Sequence, residues 1–411
     1  MSVDVETTGR RRSMAALLGG VAATNTSMVG ASTASTLIGA EELTELWSGV
    51  PNAAGVLGTA AGTLWLAALM ARRGTRSALS LGYLVAIVGA AVAGAAVASG
   101  QVLLLIFGMV LLGVGNGGAQ LSRYCAADLY PPRRQGLAVG IIVWAGTVGA
   151  VFGPNLMDPS ADVADRLGLP DLAGPFLVAL LAAGVCVLAS AAMPRSRTAA
   201  RQGANDPTPA QVWRHPVVSV ALVSMIAGQL AMVALMTMTP LHMSSNHHGL
   251  TAVGVVLSGH MIGMFALAPL SGYLSDRFGG RAAILMGIGL LVTSVVVASW
   301  PAAHGSGLTR LVVSLFLLGW GWNLTFVGGS ALLTQALTPA ARRAVQGRVD
   351  ALVWAASAVA SVVAGVVLAT TNYVVLSVAA GVVSLIPVPM LRRRPPAEAS
   401  ATAPEHADAV R

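Results

Sequence analysis

Runs of about 20 apolar residues recur along this chain from end to end, the length a helix needs to cross a bilayer core of ~30 Å. Twelve can be marked, at roughly 13–40, 50–71, 77–98, 102–125, 136–157, 174–193, 217–240, 251–274, 282–300, 310–336, 349–369 and 372–391. A chain of 411 residues that is 55% hydrophobic and 10% charged, with a mean hydropathy of +0.75, has too few polar residues to cover soluble domains of that size. The runs are continuous and rich in Ala, Gly, Val and Leu, not short and alternating. That sets aside a transmembrane barrel and predicts an all-α integral membrane fold of twelve helices.

All 24 basic residues are arginine. With both termini cytoplasmic, only Arg166 and Arg310 fall in outer loops. The rest gather at Arg10, Arg11 and Arg12, in the even-numbered loops and at Arg392, Arg393 and Arg394. That is the positive-inside pattern, and it predicts a multi-pass protein of the cytoplasmic membrane. The opposite loops are acidic, with Glu41, Glu42, Glu45, Asp158, Asp162, Asp165 and Asp171. The high isoelectric point thus reports orientation in a bilayer and not a nucleic-acid partner. The first run is too long for a signal peptide and reads as a helix. Cys125 and Cys186 lack any CxxC spacing, so neither a disulfide framework nor a thiolate metal site is expected.

The chain repeats itself. Aligning Gly279 of "GYLSDRFGGRAAIL" with Gly74 of "AALMARRGTRSAL" sets Arg281 on Arg76 at an offset of 205 residues, and "LLGVGNGG" echoes "LLGWGWN" at offsets of 206 to 208. Two six-helix halves are expected, residues 1–193 and 216–391, with a cytoplasmic linker at 194–215 and a disordered tail at 392–411. The decapeptide from Gly272 to Arg281 resembles the loop motif of the major facilitator superfamily, and the likeness in span number and two-halved layout covers nearly the whole chain. The resemblance implies alternating access between the halves and a cytoplasmic charge latch formed by Asp276 with Arg277 and Arg281. In the first half Ala71 replaces the acid and Ala67 the glycine, so a second latch is not expected. The fourth run reads as lacking the buried arginine of proton-coupled members. "GTVGAVFGP", from Gly146 to Pro154, is similar to an exporter motif without its closing glycine pair.

Ionisable groups inside spans are costly and mark function. Asp128 and Asp350 read as lying at cytoplasmic helix ends, which leaves His260 as the titratable side chain near mid-membrane. Around it, residues 225–264 hold seven of the sixteen methionines and four of the seven histidines. Met232 and Met236 on the seventh run, and His260 and Met264 on the eighth, repeat an i, i+4 spacing at similar depth. Thioether and imidazole suit a soft ion such as Cu(I), and the intervening "LHMSSNHHGL" offers His242, Met243, His247 and His248 for its capture. The set resembles that of the CcoA-like copper importers, which implies copper uptake. Methionine is also a common flexible filler of helix contacts.

The alternative is ion-coupled transport of a small organic solute through a central cavity, with Asn25, Asn116, Gln120, Gln229, Trp322 and Asn323 as its lining and the tryptophans for stacking. No nucleotide loop, nucleophile-base pair or zinc spacing appears, so no enzymatic activity and no cofactor are expected. The expected partners are the lipid bilayer and the solute, with no nucleic acid, and the chain is expected to act as a monomer.

Overall fold

A computed structural model describes residues 2–42, 49–194, 209–245, 250–299 and 307–392, and within them the apolar runs are helices. In the first half these are α1 (Ser2–Glu42), α2 (Val50–Arg73), α3 (Thr75–Ser99), α4 (Val102–Ala127), α5 (Gln135–Trp144) continued by α6 (Gly146–Asn155), a short α7 (Met157–Arg166) and α8 (Gly174–Ala191). In the second half they are α9 (Pro209–Trp213), α10 (Pro216–Ser245), α11 (Leu250–Met261), α12 (Ala268–Phe278), α13 (Gly280–Ser299), α14 (Gly307–Ala336), α15 (Pro339–Thr370), α16 (Tyr373–Leu385) and α17 (Val388–Arg392). Among the described residues eleven helices are long and apolar enough to cross a membrane. A twelfth span is the pair Ala252–Ala266 and Ala268–Phe278, bent by 41° at its break.

Three helices depart from the expected boundaries. The helix α10 runs through Pro240, whose missing N–H leaves the Met236 carbonyl without its helical donor, and so carries His242 and Met243 on its last turns instead of in a loop. The helix α15 starts at Pro339, behind the N-cap Thr338 that accepts from Ala341 N–H, so Asp350 lies about 16 Å along its axis and not at its end. The acidic stretch after the fifth run folds as α7, seated by buried Ser160 and Ala164. His247, His248, most of the expected linker and the tail beyond Arg392 lie outside the described residues.

The internal repeat is visible in the backbone. Gly74 ends α2 with φ 81° and ψ 162°, and Gly279 ends α12 with φ 86° and ψ 153°, a conformation closed to residues with a Cβ. Equivalent asparagines brace equivalent helix pairs: Asn116 Nδ2 donates to Thr59 Oγ1 at 3.1 Å, joining α4 to α2, and Asn323 Nδ2 donates to the Met264 carbonyl at 2.6 Å, joining α14 to the eighth span. The second bond has a local cause. A π-helical turn at Ile262–Ala266 spreads the backbone ladder by one residue, and Asn323 takes up a carbonyl within it.

The bundle has two unlike ends. One carries Arg72, Arg73, Arg133, Arg134, Arg277 and Arg343; the other carries Glu41, Glu42, Asp158 and Asp171. Toward the arginine-rich end a single apolar cluster joins both halves, from Leu66, Leu121 and Val139 to Ile284, Leu333 and Val345. Toward the acidic end each half has its own cluster, one around Ala90, Leu105 and Phe176 and one around Leu235, Leu315 and Tyr373. The halves are therefore packed together at one end and parted at the other.

Candidate transport cavity

Closure at the arginine-rich end is made by two close helix pairs and a set of ions. Gly347 on α15 approaches α2 so closely that a Cβ there would lie 2.5 Å from Ala67 Cβ and 2.6 Å from the Thr63 carbonyl. On the pseudo-equivalent side Gly136 of α5 meets Gly272 and Asp276 of α12. Asp276 accepts from the Gly136 and Leu137 N–H groups at 2.7 Å each, and from Gln335 at 3.2 Å. Those N–H groups belong to the first turn of α5 and have no helical acceptor, so the carboxylate caps a helix of the opposite half. Arg277 donates instead to the Tyr273 hydroxyl at 3.0 Å, and Arg281 donates to the Leu391 carbonyl at 3.5 Å. The expected grouping of Asp276 with these arginines is thus replaced by a carboxylate-to-helix contact.

Two ion pairs cross between α4 and α15. Arg123 Nη2 lies 2.5 Å from Asp350 Oδ1, both side chains at most 2% exposed, and Arg342 pairs with Asp128 just beyond α4. The expectation of no buried arginine on the fourth span, and of Asp350 at a helix end, is overturned. Each charge is tolerable inside because its counter-ion comes from the other half, a pairing that no single helix displays. Arg123 is further held by Ser330 Oγ at 2.9 Å and the Gln120 carbonyl at 2.6 Å, and lies over the rings of Phe326 and Tyr124 at 4.3 and 4.5 Å.

Above this floor lies a cavity of about 1020 Å³. Its lining runs from Arg123 and Phe326 up to Gly49, Val50 and Ala369, so it reaches the acidic end between the parted halves. One wall is an aromatic rack on α14. Trp322 stacks on Phe326 with centroids 4.9 Å apart and planes at 18°, and meets Phe265 edge-on at 6.3 Å. The indole is fixed in place: Nε1 donates to Gln229 Oε1 at 2.7 Å, and Gln229 Nε2 donates to Ser357 Oγ at 2.7 Å. Trp354 completes the aromatic lining, while Asn25, Asn52 and Gln120 add polar points on the facing wall.

The sequence-derived candidates separate on this geometry. Asn25, Gln120, Gln229 and Trp322 line the cavity; Asn116 and Asn323 do not and serve as helix braces. Met232, Met236 and Met264 also line it. His260 does not join them: it is fully buried, and its Nδ1 lies 2.9 Å from the Leu315 carbonyl on α14. Met243 is buried in the outer core of the second half, and His242 stacks on Tyr373 at 4.2 Å. Among the described residues no group of three or more His, Cys, Asp or Glu side chains is placed to hold a metal ion. Reading the sequence missed Arg123, Asp350, Phe326 and Trp354. The signal available was an Arg and an Asp each set well inside a long helical pattern.

A helical bundle with two halves closed together below a central cavity and parted above it is a membrane carrier of solutes. The chain belongs to the Major Facilitator Superfamily, whose family model matches residues 15–259 and again 220–410. It is therefore a multi-pass secondary transporter and not an enzyme. It is 34% identical over 379 residues to the uncharacterized MFS-type transporter YddS of Bacillus subtilis, covering 88% of this chain and 85% of that one. It is 28% identical over 356 residues to the riboflavin transporter RfnT of Brucella anthropi, covering 84% and 86%. Among solved structures it is similar to the transporter FucP in the outward conformation, with a TM-score of 0.72 at 14% identity, over 92% of this chain and 97% of that one. None of these three is named for copper.

Proposed function

We propose that the protein carries a planar heteroaromatic organic solute, flavin-like in ring size, by alternating access. The observation that carries this reading is the aromatic rack with its polar lock. A ring that enters finds Trp322 already stacked on Phe326 and fixed through Gln229 and Ser357, so little side-chain entropy is lost on stacking. The cavity volume suits a ligand of that class, and a relative covering most of the chain is named as a riboflavin transporter. With the arginine-rich end and both termini in the cytoplasm, the cavity opens to the outside. Copper uptake has weaker support: the three methionines on the cavity wall lack the imidazole that was to complete their site.

Proteoliposomes loaded by external addition of radiolabelled riboflavin test the proposal. Saturable uptake is expected, falling by at least about tenfold in Trp322→Ala, since loss of a stacking ring and its lock removes roughly 1.5 kcal/mol or more. A Met232→Leu/Met236→Leu variant is expected to keep riboflavin flux. Wild-type liposomes that show no saturable riboflavin uptake, or a Trp322→Ala variant that transports normally, would sink the proposal.

A further inference from the structure

We infer that Asn25 and Gln120 read the edge of the stacked solute ring, and that this edge carries a hydrogen-bond acceptor and a donor side by side, as a lactam or imide does. The inference rests on the heteroaromatic reading proposed above and adds to it what the first half of the protein contributes. Trp322, Phe326 and Gln229 all belong to the second half. Asn25 on α1 and Gln120 on α4 line the same cavity from the first.

Most polar groups of the lining are already engaged. Asn52 accepts from Ser32, Gln229 is bonded to Trp322 and Ser357, Thr237 donates to the Val233 carbonyl, and Arg123 donates to Ser330 and Asp350. The side-chain amides of Asn25 and Gln120 have no such partner among the described residues. Their main chains are nonetheless fixed. Gly149 of α6 lies so close to α1 that a Cβ there would come within 2.4 Å of Asn25 Cβ, and the Gln120 carbonyl accepts from Arg123 Nη1 at 2.6 Å. Depth agrees as well. At a repeat offset of 207 residues Gln120 matches Val327, next to Phe326, and Asn25 matches Met232, three residues from Gln229. Both amides therefore stand at the level of the stacking wall, on its far side.

A ring that fills the cavity strips water from these amides, and a buried amide left unpaired is costly. Each amide is neutral and offers one carbonyl acceptor and two N–H donors. Its complement is a neutral ring edge with a carbonyl beside an N–H. A hydrocarbon ring of the same shape stacks on Trp322 equally well but leaves both amides dehydrated. The pair thus selects among flat solutes, since a polar site rejects an analogue lacking its hydrogen bond far more strongly than an apolar pocket rejects a small change of shape.

The test uses the full chain in nanodiscs with riboflavin and 3-methylriboflavin, in which a methyl group replaces the imide hydrogen and the ring system for stacking is kept. Binding is read by quenching of flavin fluorescence. Wild-type protein is expected to bind riboflavin about tenfold or more tighter than the derivative, the size of one hydrogen bond to a group buried by the ligand. In an Asn25→Leu/Gln120→Leu variant the preference is expected to vanish. Riboflavin binds more weakly there, and the derivative binds at least as well as to wild type, because no amide is left to be dehydrated. Retained binding of the derivative also shows that the variant is folded. The single variants Asn25→Leu and Gln120→Leu are each expected to lose part of the preference, and they decide the matter if the double variant binds neither ligand. Equal affinities in wild-type protein, or a preference kept in full by the variants, overturns this inference and leaves the heteroaromatic reading standing. Failure of wild-type protein to bind either flavin overturns both.

Discussion

The contact between α5 and α12 makes a sharp prediction, because it has no room for a methyl group. A Cβ at Gly136 would lie 2.7 Å from the Gly272 carbonyl and 2.8 Å from Asp276 Oδ1. The first neighbour is backbone, so Gly136→Ala must push the two helices apart. The same shift stretches the Gly136 and Leu137 N–H bonds to Asp276, both now 2.7 Å. Overpacking of this kind costs about 1–3 kcal/mol, which corresponds to a factor of about 5 to 150 in an equilibrium constant. The cost falls on the closed arginine-rich end and not on folding of either half, since each half keeps a separate apolar cluster toward the acidic end. If the two conformations start near parity, the fraction with an open acidic end drops to about a sixth or less. Maleimide labelling of Val366→Cys, a lining position near the mouth, in a Cys125→Ser/Cys186→Ser background reads that fraction. Gly184→Ala is the control, because nothing lies within 4 Å of its added Cβ. An unchanged labelling rate would refute the reasoning, and so would a collapse of thermal stability, which would mean that the cost fell on folding.

Two further outcomes follow from bonds within and between the halves. Asn323→Leu leaves the Met264 carbonyl in the π turn without its donor and is expected to cost about 1–3 kcal/mol, seen as a lower Tm in detergent, while Asn116→Leu removes a bond to a hydroxyl and costs less, about 1 kcal/mol. A double-mutant cycle on Arg123 and Asp350, both nearly inaccessible, is expected to give a larger coupling than that of Arg342 and Asp128, where the arginine is buried but the aspartate side chain is 37% exposed and water screens the pair.

The spans were legible because a bilayer imposes a length on them, and the 205-residue repeat was legible because two turns need glycine at the same place, Gly74 and Gly279. The cavity was legible only in part. Asn25, Gln120, Gln229 and Trp322 were reached by placing polar or aromatic residues on helices that face the centre. The same rule misplaced Asn116 and Asn323, because a polar group in a helix is satisfied equally well by a neighbouring helix. The methionine and histidine pairs divided in another way: Met232, Met236 and Met264 line the cavity and His260 does not. Spacing put His260 and Met264 on one face, yet the imidazole turns to Leu315 on α14 while Met264 reaches the cavity. A π turn beginning just after Met261 is not written in any short motif. Arg123 and Asp350 were missed because hydropathy treats each charge alone, and these two are soluble in the interior only as a pair drawn from different halves.

The repeat also explains why the site is not symmetric. At an offset of 207 residues Asn116 matches Asn323, and both brace, so this part of the scaffold is duplicated. At that same offset Gly115 faces Trp322, Ala119 faces Phe326 and Arg123 faces Ser330. The second half thus holds the stacking surface where the first half has small residues, and the first half holds the cation where the second has a hydroxyl. Arg123 donates to Ser330 itself, its own pseudo-equivalent, so the two specialised positions touch across the axis. The cavity thus has rings on one wall, drawn from the second half, and a guanidinium at its floor, drawn from the first. The asymmetry of the lining is thus laid over a frame that is itself duplicated.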